Sequence, residues 1–280
     1  MVRLPVGGDQ EASIDGEIPI SRGGKGARPR PPQPRIDLKM KTAPSHPEGA
    51  TTEDATGTEL SQRELKAEAL IRRHKRNMRK AAAEGFLAGV CAMLRPGDLV
   101  MDCGANMGVV TTVLAATGAD VIAYEPDPFA FATLQDRFSD FPNVTLVQAA
   151  VGVGSGTVKL MRADNFEANP TGASVKSTIL DGGRRIDAEN SVEVPLIDFP
   201  GLVWEMVAQR GGIAFVKMDI EGAELEILER MDAEDLFQHV RCLVAETHER
   251  KFRDLRDRYK AIRESFATKY PSGRVNLDWI

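Results

Sequence analysis

Three acids and two glycines stand at spacings that could do chemistry. Asp102, Gly104 and Gly108 fall in Asp98-Leu99-Val100-Met101-Asp102-Cys103-Gly104-Ala105-Asn106-Met107-Gly108, and Glu125 ends the apolar run Val121-Ile122-Ala123-Tyr124-Glu125. A third acid, Asp219, ends Ile213-Ala214-Phe215-Val216-Lys217-Met218-Asp219. The first stretch is a short apolar run, a Gly-x-x-x-Gly turn and then Val109–Ala115, which reads as strand, tight turn and helix. That order points backbone N–H groups at the head of a helix toward a ligand. Gly104 and Gly108 allow positive φ and, with Ala105 and Asn106 between them, leave bare backbone for close approach. Seventeen residues after Gly108, Glu125 is placed to accept hydrogen bonds from the two hydroxyls of a ribose. Charge-assisted bonds of that kind contribute roughly 1.5–3 kcal/mol each. An ordinary structural role for Glu125 would be to cap the following helix.

The pattern is that of a nucleoside-binding βαβ unit, and the turn selects the nucleoside. A nicotinamide dinucleotide calls for Gly-x-Gly-x-x-Gly. Here Asn106 stands two residues after Gly104 and no third glycine follows. An acid at Asp102 would repel a pyrophosphate but suits a ligand carrying an ammonium and a sulfonium. S-adenosylmethionine meets that description, with Asp102 and Gly104 at its methionine end, Glu125 on the ribose, and Pro126, Gln148 and Ala149 flanking the adenine. A nicotinamide-dependent oxidoreductase is the alternative enzyme class.

Ligands in open α/β sheets sit at the carboxyl ends of the strands. Asp219, Glu221 and the Glu246-Thr247-His248 set are the remaining polar residues there. Methyl transfer is an in-line displacement governed by positioning, and a hydroxyl acceptor must also lose a proton. His248 has the reference pKa of a general base. Asp219 could hold the donor's amine, orient the acceptor or cap the next helix, whose first turn already carries Glu221 and Glu224. Lys217 alternates with Asp219 along its strand. Asp219, Glu246 and His248 could instead ligate a divalent ion, although no dense local acid cluster supports a metal.

The elements that must hold these residues alternate. Strands are expected near 98–103, 121–125, 143–148, 213–219 and 242–247, with helices near 107–116, 128–138, 222–231 and 251–267 and a last strand at 274–280. No strand is legible between 250 and 273. Between 156 and 200 the alternation breaks, and Thr157–Met161 and Ser191–Pro195 read as a β-hairpin insertion. Repeated βα units imply a mostly parallel sheet with helices on both faces.

Before this domain, which is expected over 95–280, residues 57–94 read as helices divided at Gly85. Within them Arg72–Lys80 is strongly basic, which suits a solvated helix face or, alternatively, a non-catalytic nucleic-acid-binding module. Residues 1–56, rich in Gly, Pro, Ser and Thr, bury too little apolar surface to offset ordering entropy and are expected to be disordered. The chain has 280 residues, a net charge of −5 and 42% hydrophobic content, so global charge gives no reason to expect nucleic acid as a partner. Three scattered cysteines argue against a disulfide framework or a zinc site and for a reducing, cytoplasmic setting. No signal peptide or eighteen-residue apolar run is expected.

These blocks together resemble the FkbM-type methyltransferases, a branch of the class I, Rossmann-like, S-adenosylmethionine-dependent fold. The resemblance covers roughly residues 95–250. It rests on Met101–Gly108, Ala123–Pro128, Val147–Gly152, Lys217–Glu224 and Val244–His248 in that order. It implies methyl transfer, commonly to a hydroxyl on a sugar or a polyketide-like natural product. The expected partner is therefore a small hydroxylated acceptor.

Overall fold

The structure is a computed structural model that describes residues 56–280 except Arg184 and Ile280. The chain divides into two units, residues 1–68 and 69–280. The expected unstructured leader lies, but for its last residue, outside the described residues. Helix α1, Thr56–Met93, runs unbroken through Gly85, where two helices were expected. Glycine in a helix interior costs only about 1 kcal/mol relative to alanine and keeps its hydrogen-bonding N–H. Around it, Ala83, Phe86, Leu87, Val90 and Cys91 pack against the sheet, and that burial outweighs the cost.

The alternation then follows as expected. Strand β1 (Leu99–Cys103) leads to α2 (Val109–Ala115), β2 (Asp120–Tyr124) to α3 (Pro128–Phe138), and β3 (Val144–Val147) closes that half. Strands β4 (Ala150–Gly152), β5 (Gly156–Ala163) and β6 (Ile186–Asp198) form a separate three-stranded sheet in the order β4-β6-β5. Strands β5 and β6 are the expected hairpin, antiparallel and longer than the sequence suggested. Between them the short helix α4 (Pro170–Ala173) and a 3-10 turn at Ser174–Lys176 replace the anticipated loop. Helix α5 (Phe199–Arg210) was not legible in the sequence; β7 (Phe215–Met218), α6 (Glu224–Ala233), β8 (Leu243–Ala245), α7 (Arg256–Lys269) and β9 (Val275–Asn276) complete the chain.

The main sheet has the order β3-β2-β1-β7-β8-β9 with every pairing parallel. Strand β1 shows why both faces are covered. Leu99, Met101 and Cys103 pack with Phe199, Leu225, Leu228, Ile262 and Phe266 from α5, α6 and α7. Val100 points the other way, against α2 and α1 through Leu114 and Ala83. Successive side chains of a strand alternate between faces, and two buried faces require apolar residues at nearly every position. The chain order reverses beside β1, with β2 and β3 on one side and β7 to β9 on the other. That reversal opens a crevice at the carboxyl ends of β1 and β7, where ligands of open α/β sheets bind. Among the described residues no helix is long and apolar enough to cross a membrane.

Candidate active site

A cavity occupies that crevice. Gly104 and Asn106 after β1, Glu125 and Pro126 after β2, Ala149, and Asp219 and Glu221 after β7 all line it. Gly104 has φ +77, and a Cβ there would fall 1.9 Å from the carbonyl oxygen of Asp219, so only glycine lets the ends of β1 and β7 close together. Asn106 takes the left-handed conformation (φ 46), which asparagine tolerates. Its N–H donates to Glu125 Oε2 at 2.7 Å, and its side-chain amide donates to Ser174 Oγ at 3.1 Å.

Glu125 also accepts the Asp127 N–H at 2.9 Å through Oε1. Each carboxylate oxygen has two lone-pair sites, so one on each remains for a ligand. Burial pushes the Glu125 carboxyl up to about 7, against the two backbone N–H groups, which pull it down. The cap of α3 is Asp127, whose Oδ1 accepts the Phe129 N–H at 2.8 Å. The capping role considered for Glu125 therefore belongs to its neighbour.

Four expected contacts lie elsewhere. Asp102 shares the face of Val100 and points into α2, fully buried, where Oδ2 accepts from Thr111 Oγ1 at 2.7 Å. Its Oδ1 faces Lys217 Nζ at 3.3 Å, and Lys217 donates to the carbonyl of Gly104 at 2.6 Å. Asp102 thus holds the turn through Lys217 and does not line the cavity. Ala105 is buried against Phe131, Leu134 and Phe138. At Gly108 (φ +76) a Cβ would meet Phe138 at 2.6 Å and Leu134 at 2.8 Å, so this glycine serves the packing of α3, and it does not line the cavity. Gln148 is exposed and does not line the cavity, whereas its neighbour Ala149 does.

The far wall gathers the acids and the histidine. Glu221 (φ 57) and Gly222 (φ +114) are successive left-handed residues. The first of them is a departure from ordinary backbone preference of the kind that clusters at functional sites. Glu224, at the start of α6, is fully buried. Its Oε1 accepts from the His248 N–H at 3.1 Å, faces His248 Nδ1 at 2.9 Å and accepts from Tyr259 at 2.9 Å. The other ring nitrogen, Nε2, stands 3.3 Å from Glu221 Oε2, 3.9 Å from Asp219 Oδ1 and 4.0 Å from Glu246 Oε1. Lys251 pairs with Glu221 from outside.

Burial pulls the His248 ring down, but the hydrogen bond and charge of Glu224 and the charge of Glu221 outweigh it and lift the ring to about 9. At neutral pH the ring therefore favours its protonated form. Glu246 is pushed up to about 7, first by burial and then by the charge of Asp219. Asp219 does not cap α6, whose first residue follows Ala223 with no side-chain cap. Sequence reasoning missed Glu224 as the partner of His248, and Tyr259 and Lys251 altogether. The signal for Glu224 was present as the second acid of Glu221-Gly222-Ala223-Glu224, read only as a favourable charge at a helix start.

The insertion roofs the cavity. Ser174, Val175, Ser177 and Ile179 line it from that side. Thr178 Oγ1 donates to the Glu221 carbonyl at 2.7 Å, and Arg162 on β5 forks onto Asp127 at 3.0 and 3.1 Å. Among the described residues Ser177 Oγ is buried without a hydrogen-bond partner.

Comparison with known proteins places this geometry. The family model of the methyltransferase FkbM domain matches residues 102–268. The ribosomal RNA small subunit methyltransferase A of Thermotoga neapolitana is 51% identical over 55 residues, 20% of this chain and 21% of that protein. The hexuronic acid methyltransferase AglP of Haloferax volcanii is 28% identical over 151 residues, 54% of this chain and 56% of its own length. The 31-O-demethyl-FK506 methyltransferase FkbM of Streptomyces tacrolimicus is 25% identical over 183 residues, covering 56% of this chain and 67% of that protein. The chain thus spans less than two thirds of the first two of these relatives. The family match decides for a methyl donor over the nicotinamide reading. With a parallel sheet that reverses at β1, a glycine turn at Gly104 and an acid at the end of β2, the chain belongs to the FkbM methyltransferase family of S-adenosylmethionine-dependent methyltransferases.

Proposed function

We propose that this protein transfers the methyl group of S-adenosylmethionine to a hydroxyl oxygen of a sugar or natural-product-like small molecule. The observation that carries the reading is that one cavity is walled by Glu125 on one side and by Asp219 and Glu221 on the other. The ribose binds the free lone pairs of Glu125, and the adenine lies between Pro126 and Ala149. The methionine end reaches the turn at Gly104, which Lys217 and Asp102 hold from behind.

The acceptor hydroxyl lies against Asp219, the acid of the cluster that keeps a partly exposed carboxylate on the cavity wall. As the oxygen attacks, the C–O bond forms and the C–S bond breaks. The sulfonium leaves as a neutral thioether, and the hydroxyl proton passes to the Asp219 carboxylate. Holding donor and acceptor in line removes much of the entropic barrier. The names of the Haloferax and Streptomyces relatives, a hexuronic acid methyltransferase and a 31-O-demethyl-FK506 methyltransferase, support a hydroxylated small acceptor.

The test is mass spectrometry with a deuterated methyl donor across a panel of uronic acids, neutral sugars and hydroxylated macrolides. The expected product gains one labelled methyl as an ether that survives alkaline hydrolysis. Transfer to nitrogen, or to carboxylate as an alkali-labile ester, would overturn the assignment to a hydroxyl. Failure of the purified protein to bind S-adenosylmethionine would overturn the whole reading.

A further inference from the structure

The acids on the far wall are arranged for something more positive than an alcohol. Asp219, Glu221 and His248 each offer a ligand atom, and these atoms all lie within 4.8 Å of one another. Two donors held about 2.1 Å from one ion lie about 3 Å apart at right angles and about 4.2 Å apart when opposed. The observed separations of 3.3 and 3.9 Å from His248 Nε2 fall between these limits. Glu246 Oε1, at 4.0 Å from the same nitrogen, stands at the rim.

A cluster of carboxylates is common on protein surfaces, and the second observation is the histidine. His248 is only 5% exposed. Its Nδ1 is fixed by Glu224, and Glu224 is itself fixed by Tyr259 and by the N–H groups of Gly222 and His248. The fixed ring aims Nε2 between the three carboxylates, 3.3 Å from Glu221 Oε2 and 3.9 and 4.0 Å from Asp219 Oδ1 and Glu246 Oε1. A carboxylate holding one ring nitrogen so that the other faces an ion is the usual outer arrangement of a metal-ligating histidine. Three carboxylates stand around one imidazole; buried Lys217 lies 3.9 Å from Asp219 Oδ2, and Lys251, a third exposed on a loop, answers Glu221. That ammonium can swing aside when a cation enters.

We propose that Asp219, Glu221 and His248 bind a divalent cation at the wall of the donor cavity, with Glu224 as positioning residue. The mixed oxygen and imidazole set, without thiolate, suits an ion of the Mn2+ class. Such an ion would fix the acceptor oxygen while the second Asp219 oxygen, Oδ2, 3.9 Å from Lys217 Nζ, takes the hydroxyl proton. That role rests on the methyl-transfer reading; the binding site itself does not.

The experiment is titration of the chelator-treated full chain with Mn2+, following the loss of the free-ion signal by electron paramagnetic resonance. One ion per chain is expected. Asp219→Asn and His248→Gln should each weaken binding by about 100-fold or more, and Glu224→Gln by roughly 10–100-fold, the usual effect of removing an outer partner. Asp219 is partly exposed, so its variant keeps the test open if changes at buried His248 or Glu224 prevent folding, which circular dichroism would show. No binding at millimolar Mn2+, or binding undiminished in folded Asp219→Asn, would overturn the inference. S-adenosylmethionine binding is measured in parallel on the metal-free protein. Donor binding without Mn2+ binding removes only this site, and Mn2+ binding without donor binding removes only the methyl-donor reading.

Discussion

Replacing Glu125 by glutamine tests the donor cradle through its proton. The folded protein holds the Glu125 carboxyl at about 7 against an ordinary 4.5, chiefly through burial. Between those values the native chain keeps a proton that the unfolded chain has released. Stability from this residue is thus fully present below about pH 4.5 and is lost as pH rises through about 7. The shift of about 2.5 units corresponds to about 3 kcal/mol. Glutamine cannot ionise, so the difference in unfolding free energy between wild type and Glu125→Gln should change by about that amount between pH 5 and pH 8. Urea unfolding of the ligand-free chains across this range measures it, and the other titrating groups cancel in the difference.

Donor affinity should move the opposite way. The ribose hydroxyls donate to an ionised carboxylate, so S-adenosylmethionine should bind up to about tenfold more tightly per pH unit below 7 and level off above it. Glu125→Gln, which keeps at best neutral hydrogen bonds, should bind at least about 100-fold more weakly and without that slope. A flat stability difference, together with a wild-type donor affinity indifferent to pH, would refute the placement of Glu125 in a buried ribose site.

Three other substitutions probe the frame around it. Gly104→Ala puts a methyl on the Asp219 carbonyl at a left-handed φ; it should cost about 2–4 kcal/mol in chemical denaturation and lower turnover further by shifting Asp219. Lys217→Met leaves Asp102 buried beside Thr111 without its cation, with an expected loss of about 3–5 kcal/mol, and Asp102→Leu on the same background should restore part of it. Arg162→Ala removes the fork onto buried Asp127; thermal denaturation should show a loss of about 2–3 kcal/mol, and weaker donor binding should follow as the roof over the cavity loosens.

What the sequence made legible is what depends on neighbours in the chain. The turn at Gly104, the acid ending β2 and the alternation of strands and helices all follow from short-range spacing, and the structure places Gly104, Asn106, Glu125, Pro126 and Ala149 around one cavity. Direction was the harder part. Strand β1 is buried at every position, so the apolar pattern around Asp102 carried no sign of which face the acid would take. Only the register of Asp102 against Lys217 on β7 and the nearness of Thr111 decide it. Gly108 looked like a ligand contact because a glycine that admits a ligand and one that admits a neighbouring helix read alike in one chain.

The far wall was hidden for the same reason carried to longer range. His248 and Glu224 are 24 residues apart, and Tyr259 is 35 from Glu224. No local pattern announces that these three share one buried oxygen. Yet that sharing decides the chemistry, because a histidine fixed by a carboxylate at Nδ1 and surrounded by three more at Nε2 is held charged, or held to a metal, and is not left free to take a proton from an alcohol. The sequence could name the histidine; only the fold shows what surrounds it, and it is on those surroundings that the proposal of Asp219 as base rests.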